Sequence, residues 1–230
     1  FSGTGIILGE VCTQTVLCPP TICVETSPKW TLVTAYFNLT KCPDASAEIK
    51  ARGSDYYMEH ATSTLSVPYP LVIYCDKESY ELIRAIRPEF LKDKTQYIIC
   101  EFDDFCFVGE KIGGGGRVGS RVGGGRKIKS GGKTFREYRK IIQENRRQKP
   151  YHSDPRNTAS YYLFCMSRYI MLKCTIDQNP FQSTHFAWIN FCIERMGWQN
   201  VARLEEALNV GRDGFSTCYI DYIPRELVNN

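Results

Sequence analysis

Polar side chains that close apolar, strand-like runs are the residues best placed to do chemistry. In this sequence they are Asn38, Asp76, the pair Asp103 and Asp104, Asn190 and Asp221. Carboxylates at strand ends can chelate a hard divalent cation. Asp103 and Asp104 are adjacent, so on an extended chain they point to opposite faces and only one can serve a shared site. Asp76 and Asp104 are therefore the candidate metal ligands. Asp76 has a competing role, because Lys77 and Glu78 lead into a helix that an aspartate would cap.

Cations are the second chemical set. Arg84 and Arg87 lie three apart on one helical face and could clamp a diphosphate, or simply decorate a surface helix. Arg168 and Lys173 sit inside the apolar run YYLFCMSRYIMLK, where a buried cation is costly unless an anion meets it. They are candidate phosphate partners; the alternative is snorkelling at the helix edge. Ser130-Gly131-Gly132-Lys133-Thr134 resembles the tail of a phosphate-binding loop, but Lys127 stands where that motif has glycine and no apolar strand precedes it. A helix N-terminus there would still suit an anion. No G-x-S-x-G is present, and His60, His152 and His185 are isolated, which disfavours hydrolase chemistry.

Positioning these groups requires alternating elements. Strands are expected at Trp30 to Phe37, Leu71 to Cys75, Thr95 to Phe102, Phe186 to Ile193 and Ser216 to Ile220. Between them, helical spacing runs over Tyr56 to Leu65, Glu78 to Ile86, Phe135 to Asn145, Tyr161 to Ile176 and Val201 to Leu208. Asn157 or Thr158 would cap the long helix, and Asn179-Pro180 would end it. The alternation predicts an α/β domain over residues 30–230 with a mostly parallel sheet flanked by helices, preceded by an irregular segment, residues 1–29. Ligands of such sheets gather outside the carboxyl ends of the strands.

The net charge of +4 conceals an asymmetry. Residues 111–149 carry thirteen Lys and Arg against Glu137 and Glu144, a local +11, which leaves −7 for the rest. The basic glycine-rich insertion within it, residues 111–133, is expected to be a mobile loop. An acidic partner would suit segment 111–149; nucleic acid is unlikely, because no aromatics lie between the glycines to stack on bases. No apolar run reaches the roughly 18 residues of a membrane span. Most of the eleven cysteines fall inside apolar runs, which points to reduced core residues in a reducing, cytoplasmic compartment.

The ordered series TLVTAYFNL, YYMEHATSTLSVPYPLVIYCD, IRAIRP, YIMLK, NPF and W-I-x-F, over roughly residues 30–198, resembles the HtrL/YibB and WlaTC-type proteins of bacterial surface-polysaccharide loci, with relatives in large DNA viruses. That family is regarded as glycosyltransferase-like. The resemblance implies a GT-A-like, Rossmann-like fold, here with an abbreviated C-terminal half. It also implies a nucleotide-sugar co-substrate, a glycan or protein acceptor, and Mn²⁺ or Mg²⁺ at an Asp-x-Asp strand end acting as a Lewis acid. On that resemblance Thr34, Ala35 and Tyr36 lie near the base, Asp76 near the ribose or metal, and Arg168 with Lys173 near the diphosphate; Asp221 is the candidate base. The aligned metal position reads Asn190-Phe191-Cys192, a weaker set for a hard cation. Three outcomes stay open: a metal held by Asp76, Asp104 or Asp221, a diphosphate neutralised by Arg168, Lys173 or the basic loop, or a catalytically inactive fold used in assembly.

Overall fold

A computed structural model of the chain describes residues 7–10, 28–105, 133–148, 154–196, 201–209 and 216–217. Among these residues six strands form one sheet: β1 (Ile7–Glu10), β2 (Trp30–Tyr36), β3 (Leu71–Cys75), β4 (Thr95–Ile99), β5 (His185–Trp188) and β6 (Ser216–Thr217), in the order β4-β3-β2-β5-β1-β6. The four strands β4, β3, β2 and β5 are parallel, and β1 pairs antiparallel with both β5 and β6. The fold is thus α/β with a parallel central sheet, as the alternating pattern implies. β2 is buried at every position, which is why WTLVTAY reads as an unbroken apolar run with threonines.

Among the described residues seven α-helices flank the sheet: α1 (Ala47–Lys50), α2 (Ser54–Glu59), α3 (Thr62–Leu65), α4 (Lys77–Ile86), α5 (Phe135–Gln148), α6 (Ala159–Gln178) and α7 (Val201–Asn209). Alternate residues of β2 feed two cores. Leu32 and Tyr36 pack with Leu65, Ile73, Ile83, Ile189 and Leu208 under α2, α3, α4 and α7. Val33, Ala35 and Phe37 pack with Phe135, Leu163, Met171 and Trp188 under α5 and α6.

Several expectations are refined. The helix expected from Tyr56 to Leu65 breaks into α2 and α3, because His60 turns back to donate to the Met58 carbonyl. The strand expected from Phe186 to Ile193 stops at Trp188, so Asn190 stands on the turn beyond it. The strand expected from Thr95 to Phe102 stops at Ile99, and a 3-10 turn takes up Phe102–Asp104. β1 is a strand that periodicity does not announce. α6 begins on Thr158, whose hydroxyl accepts from the Tyr161 amide, and ends at Asn179 in the left-handed conformation with φ 38°. Among the described residues no helix is long and apolar enough to cross a membrane.

Chain order fixes where a ligand would go. From β2 the strands progress through β3 to β4, with α1 to α4 as connections. The chain then returns through α5 and α6 to place β5 on the other side of β2. The carboxyl ends of β2 and β5 therefore flank a topological switch point, where the two helix layers diverge.

Candidate functional site

Aromatic side chains crowd the switch point. Tyr36, the last residue of β2, stacks on Phe191 with centroids 5.0 Å apart and tilts against Tyr57 of α2 at 5.5 Å. Phe37 packs on Phe102 and Phe164. Burial above all, then the charges of Tyr57 and Asp76, pushes the Tyr36 phenol well above the ordinary tyrosine range, so it stays a neutral hydroxyl.

α6 lines the opposite wall. Tyr161, Cys165 and Arg168 follow at i, i+4 and i+7 and share a face. The Arg168 guanidinium carbon lies 5.6 Å from the Phe164 ring centroid and 5.8 Å from that of Trp188, the last residue of β5. Its Nε is buried without a hydrogen-bond partner, and its polar contact is a long one from Nη2 to Cys165 Sγ at 3.9 Å. No carboxylate pairs with it among the described residues. A guanidinium carries five N–H donors, and a partly buried one with no oxygen acceptor is costly. Phe164 and Trp188 offset part of that cost through cation–π contact, about 0.5–2 kcal/mol. The remaining donors are suited to an incoming anion, and phosphate oxygens match their fork geometry. Beside this wall, Trp188 Nε1 donates to Asn190 Oδ1 at 3.3 Å. Tyr161 is pushed upward, first by burial and then by Cys165, and it also senses the charge of Tyr57 across the crevice.

Residues 28–206, a span that holds all four parallel strands, match the family model described as "Bacterial protein of unknown function (HtrL_YibB)". The chain belongs to the HtrL_YibB family. Comparisons with the curated proteins and with the solved structures returned no match.

In this HtrL_YibB chain the expected site residues divide into two groups. Arg168 and Asn190 meet at the switch point through Trp188. Tyr36 forms its floor, whereas Thr34 and Ala35 lie buried along the strand, packed in the two cores instead of lining an opening for a base. Lys173 does not join Arg168. Five residues of helix rotate it by about 140°, and its ammonium is exposed and paired with Asp177 at 3.1 Å. Asp221 lies outside the described residues.

Among the described residues the carboxylates do not assemble a metal site. Asp76 caps α4: its Oδ1 accepts from the Ser79 amide and its Oδ2 from the Asn38 amide, both at 2.8 Å. Asp104 is exposed on the 3-10 turn after β4. Asn190 directs its side-chain oxygen to Trp188 and its carbonyl to Thr64 Oγ1. No cluster of three His, Cys, Asp or Glu that could hold a metal occurs among the described residues. Among the described residues no set of ligands fits Mn²⁺ or Mg²⁺.

Other cationic expectations resolve as structure. Arg87, 5% exposed, donates to the carbonyls of Leu65, Val67 and Tyr69 and to Thr95 Oγ1, so it cannot clamp a diphosphate. Arg84 is exposed beside Glu81. The N-terminus of α5 closes on a capping box, Thr134 Oγ1 accepting from the Glu137 amide while Glu137 Oε2 accepts from the Thr134 amide. Its own carboxylate therefore occupies the place where the lysine-glycine segment suggested an anion.

One polar centre went unforeseen. Arg139 of α5, 3% exposed, pairs with Asp103 after β4 and with Asp44 after β2, and its Nε donates to Ser160 Oγ at 2.7 Å. Ser160 in turn donates from its amide and hydroxyl to Asp44. The signal was present in the spacing: Phe135, Tyr138, Arg139 and Ile142 lie on the inward side of α5. An open groove of 340 Å³ beside this centre lies between Asp44, Gln143, Arg146 and Asn157, with Asp44 held by Ser160 and Arg146 donating to the Asn157 carbonyl.

Proposed function

We propose that this chain is a glycosyltransferase-like protein of GT-A type that binds a nucleotide sugar at the switch point and transfers its hexose-type sugar to a glycan or protein acceptor. The observation that carries the reading is Arg168, a guanidinium without an oxygen partner among the described residues, at the carboxyl edge of a parallel sheet. In this reading Arg168 receives the diphosphate, whose negative charge grows as the sugar leaves, so its hydrogen bonds strengthen along the reaction. Tyr36 and Phe191 are buried against each other, so in this reading the half-buried Tyr57 ring beside them is the one that meets the base or the sugar.

Calorimetric titration of uridine, guanosine and cytidine diphosphates, with and without Mn²⁺, tests it. At least one is expected to bind, and Arg168→Ala to weaken that binding by tenfold or more, the scale of one lost charge-assisted hydrogen-bond pair. Absence of binding by every nucleotide at millimolar concentration would sink the reading.

A second reading is favoured by the engagement of Asp76 and Asn190 in structural hydrogen bonds: a transferase fold that no longer catalyses and serves in assembly. The basic segment 111–149 would then meet an acidic partner. That version expects nucleotide binding without release of nucleoside diphosphate from any sugar donor, and loss of assembly when residues 113–133 are deleted.

A further inference from the structure

The ring that carries Arg168 is itself held in place. Trp188 is 1% exposed, and its indole N–H, a donor with no acceptor capacity, needs a partner in that setting. Asn190 supplies it through Oδ1 at 3.3 Å. Asn190 is in turn anchored through its main chain, its carbonyl accepting from Thr64 Oγ1 at 2.8 Å. Thr64 lies on α3, in the helix layer opposite α6, and is fully buried. Next to it, the Ser63 amide donates to Glu194, which secures the same turn a second time. A connected path thus runs from α3 through the turn after β5 to the edge of the Trp188 ring, whose face holds the guanidinium.

We infer that Asn190 is a positioning residue: it locks the Trp188 indole so that Arg168 presents its N–H groups to an anion at the switch point. The inference rests on the reading that Arg168 receives that anion. The residue type follows from two demands. The indole requires an acceptor at the ring edge, which alanine does not supply. The guanidinium requires that no negative charge stand close by, because a carboxylate at the ring edge would compete with the ligand for Arg168. A neutral amide oxygen meets both demands, and an aspartate meets only the first.

Inorganic pyrophosphate is the probe, titrated by calorimetry into the full chain, with near-ultraviolet circular dichroism to follow the tryptophan band. The unmodified protein is expected to bind. Asn190→Ala should weaken binding about tenfold and reduce the tryptophan band, because the ring loses its lock. Asn190→Asp should keep the band, since an acceptor remains, yet bind at least tenfold more weakly. In a Trp188→Phe background, which retains a ring and removes the N–H, Asn190→Ala should have no further effect on binding. Failure of the unmodified protein to bind pyrophosphate removes the anion site and this inference with it. Binding by the unmodified protein, with Asn190→Ala and Asn190→Asp equal to it, overturns the positioning role and leaves Arg168 as the receptor. If Asn190→Ala does not fold, Asn190→Asp and the tryptophan background decide the matter.

Discussion

Two arginines of this protein face the same desolvation cost and meet it differently. Arg87 is surrounded by three carbonyl oxygens and a hydroxyl, and burial lowers its pKa only to about 10, so it remains charged at neutral pH. Arg168 has aromatic faces and, among the described residues, no oxygen. Replacing each with methionine should therefore have opposite consequences. Arg87→Met leaves the carbonyls of Leu65, Val67 and Tyr69 without a donor and is expected to cost about 3–5 kcal/mol in urea unfolding. Arg168→Met removes an unsatisfied cation and is expected to change stability by less than about 1 kcal/mol, in either direction, while abolishing anion binding. A large loss of stability in Arg168→Met would mean that the guanidinium is a structural group. Helical spacing located Arg168, whereas Arg87, expected on the same helical face as Arg84, stands just past the end of α4 on extended backbone with ψ 123°. The carbonyls that receive Arg87 come from a loop some twenty residues earlier, whose backbone direction no local pattern encodes.

At the level of elements, Asp76 stands where two explanations met. Its carboxylate closes the first turn of α4 and holds the Asn38 amide at the end of β2, so it ties a helix start to the strand that floors the crevice. Asp76→Ala should cost about 1–2 kcal/mol, seen as a lower thermal midpoint, and Asp76→Asn should restore only part of it, because its one amide oxygen can cap Ser79 while its NH2 group cannot accept from the Asn38 amide. Nucleotide binding should survive in Asp76→Asn; a loss there of tenfold or more, with the fold intact, would return Asp76 to the ligand set. Elements like this one were legible because their signals are local. Asp76 before α4, Thr158 before α6 and Asn179-Pro180 after it mark boundaries within a few residues of the helices they bound. β1 was not legible. Its four residues include a glycine, and its partners, Ala187 to His185 and Ser216 to Thr217, lie at the other end of the chain. The switch point itself followed from the order of strands, which alternation of helix and strand suggests but does not dictate.

Across the whole molecule, Arg139 joins segments that the sequence keeps far apart: the turn after β2, the turn after β4, α5 and the start of α6. Counting charges along residues 111–149 placed this arginine in a basic segment suited to an acidic partner, whereas its helix turns it inward toward two carboxylates of its own chain. The consequence is measurable in acid. Arg139 first, through its hydrogen bonds and charge, holds the Asp103 carboxyl below its ordinary value of 3.8. A carboxyl whose folded pKa lies below the unfolded one contributes stability above the unfolded value and loses it as pH falls through the folded value. The urea midpoint of the unmodified protein should therefore hold steady from pH 7 to about 5 and decline from about pH 4 downward. Arg139→Met leaves Asp44, which is nearly inaccessible, without its cation, and should cost about 3–5 kcal/mol at pH 7. That cost should shrink as the solution is acidified, because Asp103, once protonated, no longer draws on the guanidinium, so the two stability curves should converge below pH 4. Parallel curves would mean that the arginine acts through packing alone. Convergence would assign the joint between the two strand ends and the α5–α6 layer to its ion pairs, and with it the alignment of α6 that carries Arg168 to the crevice.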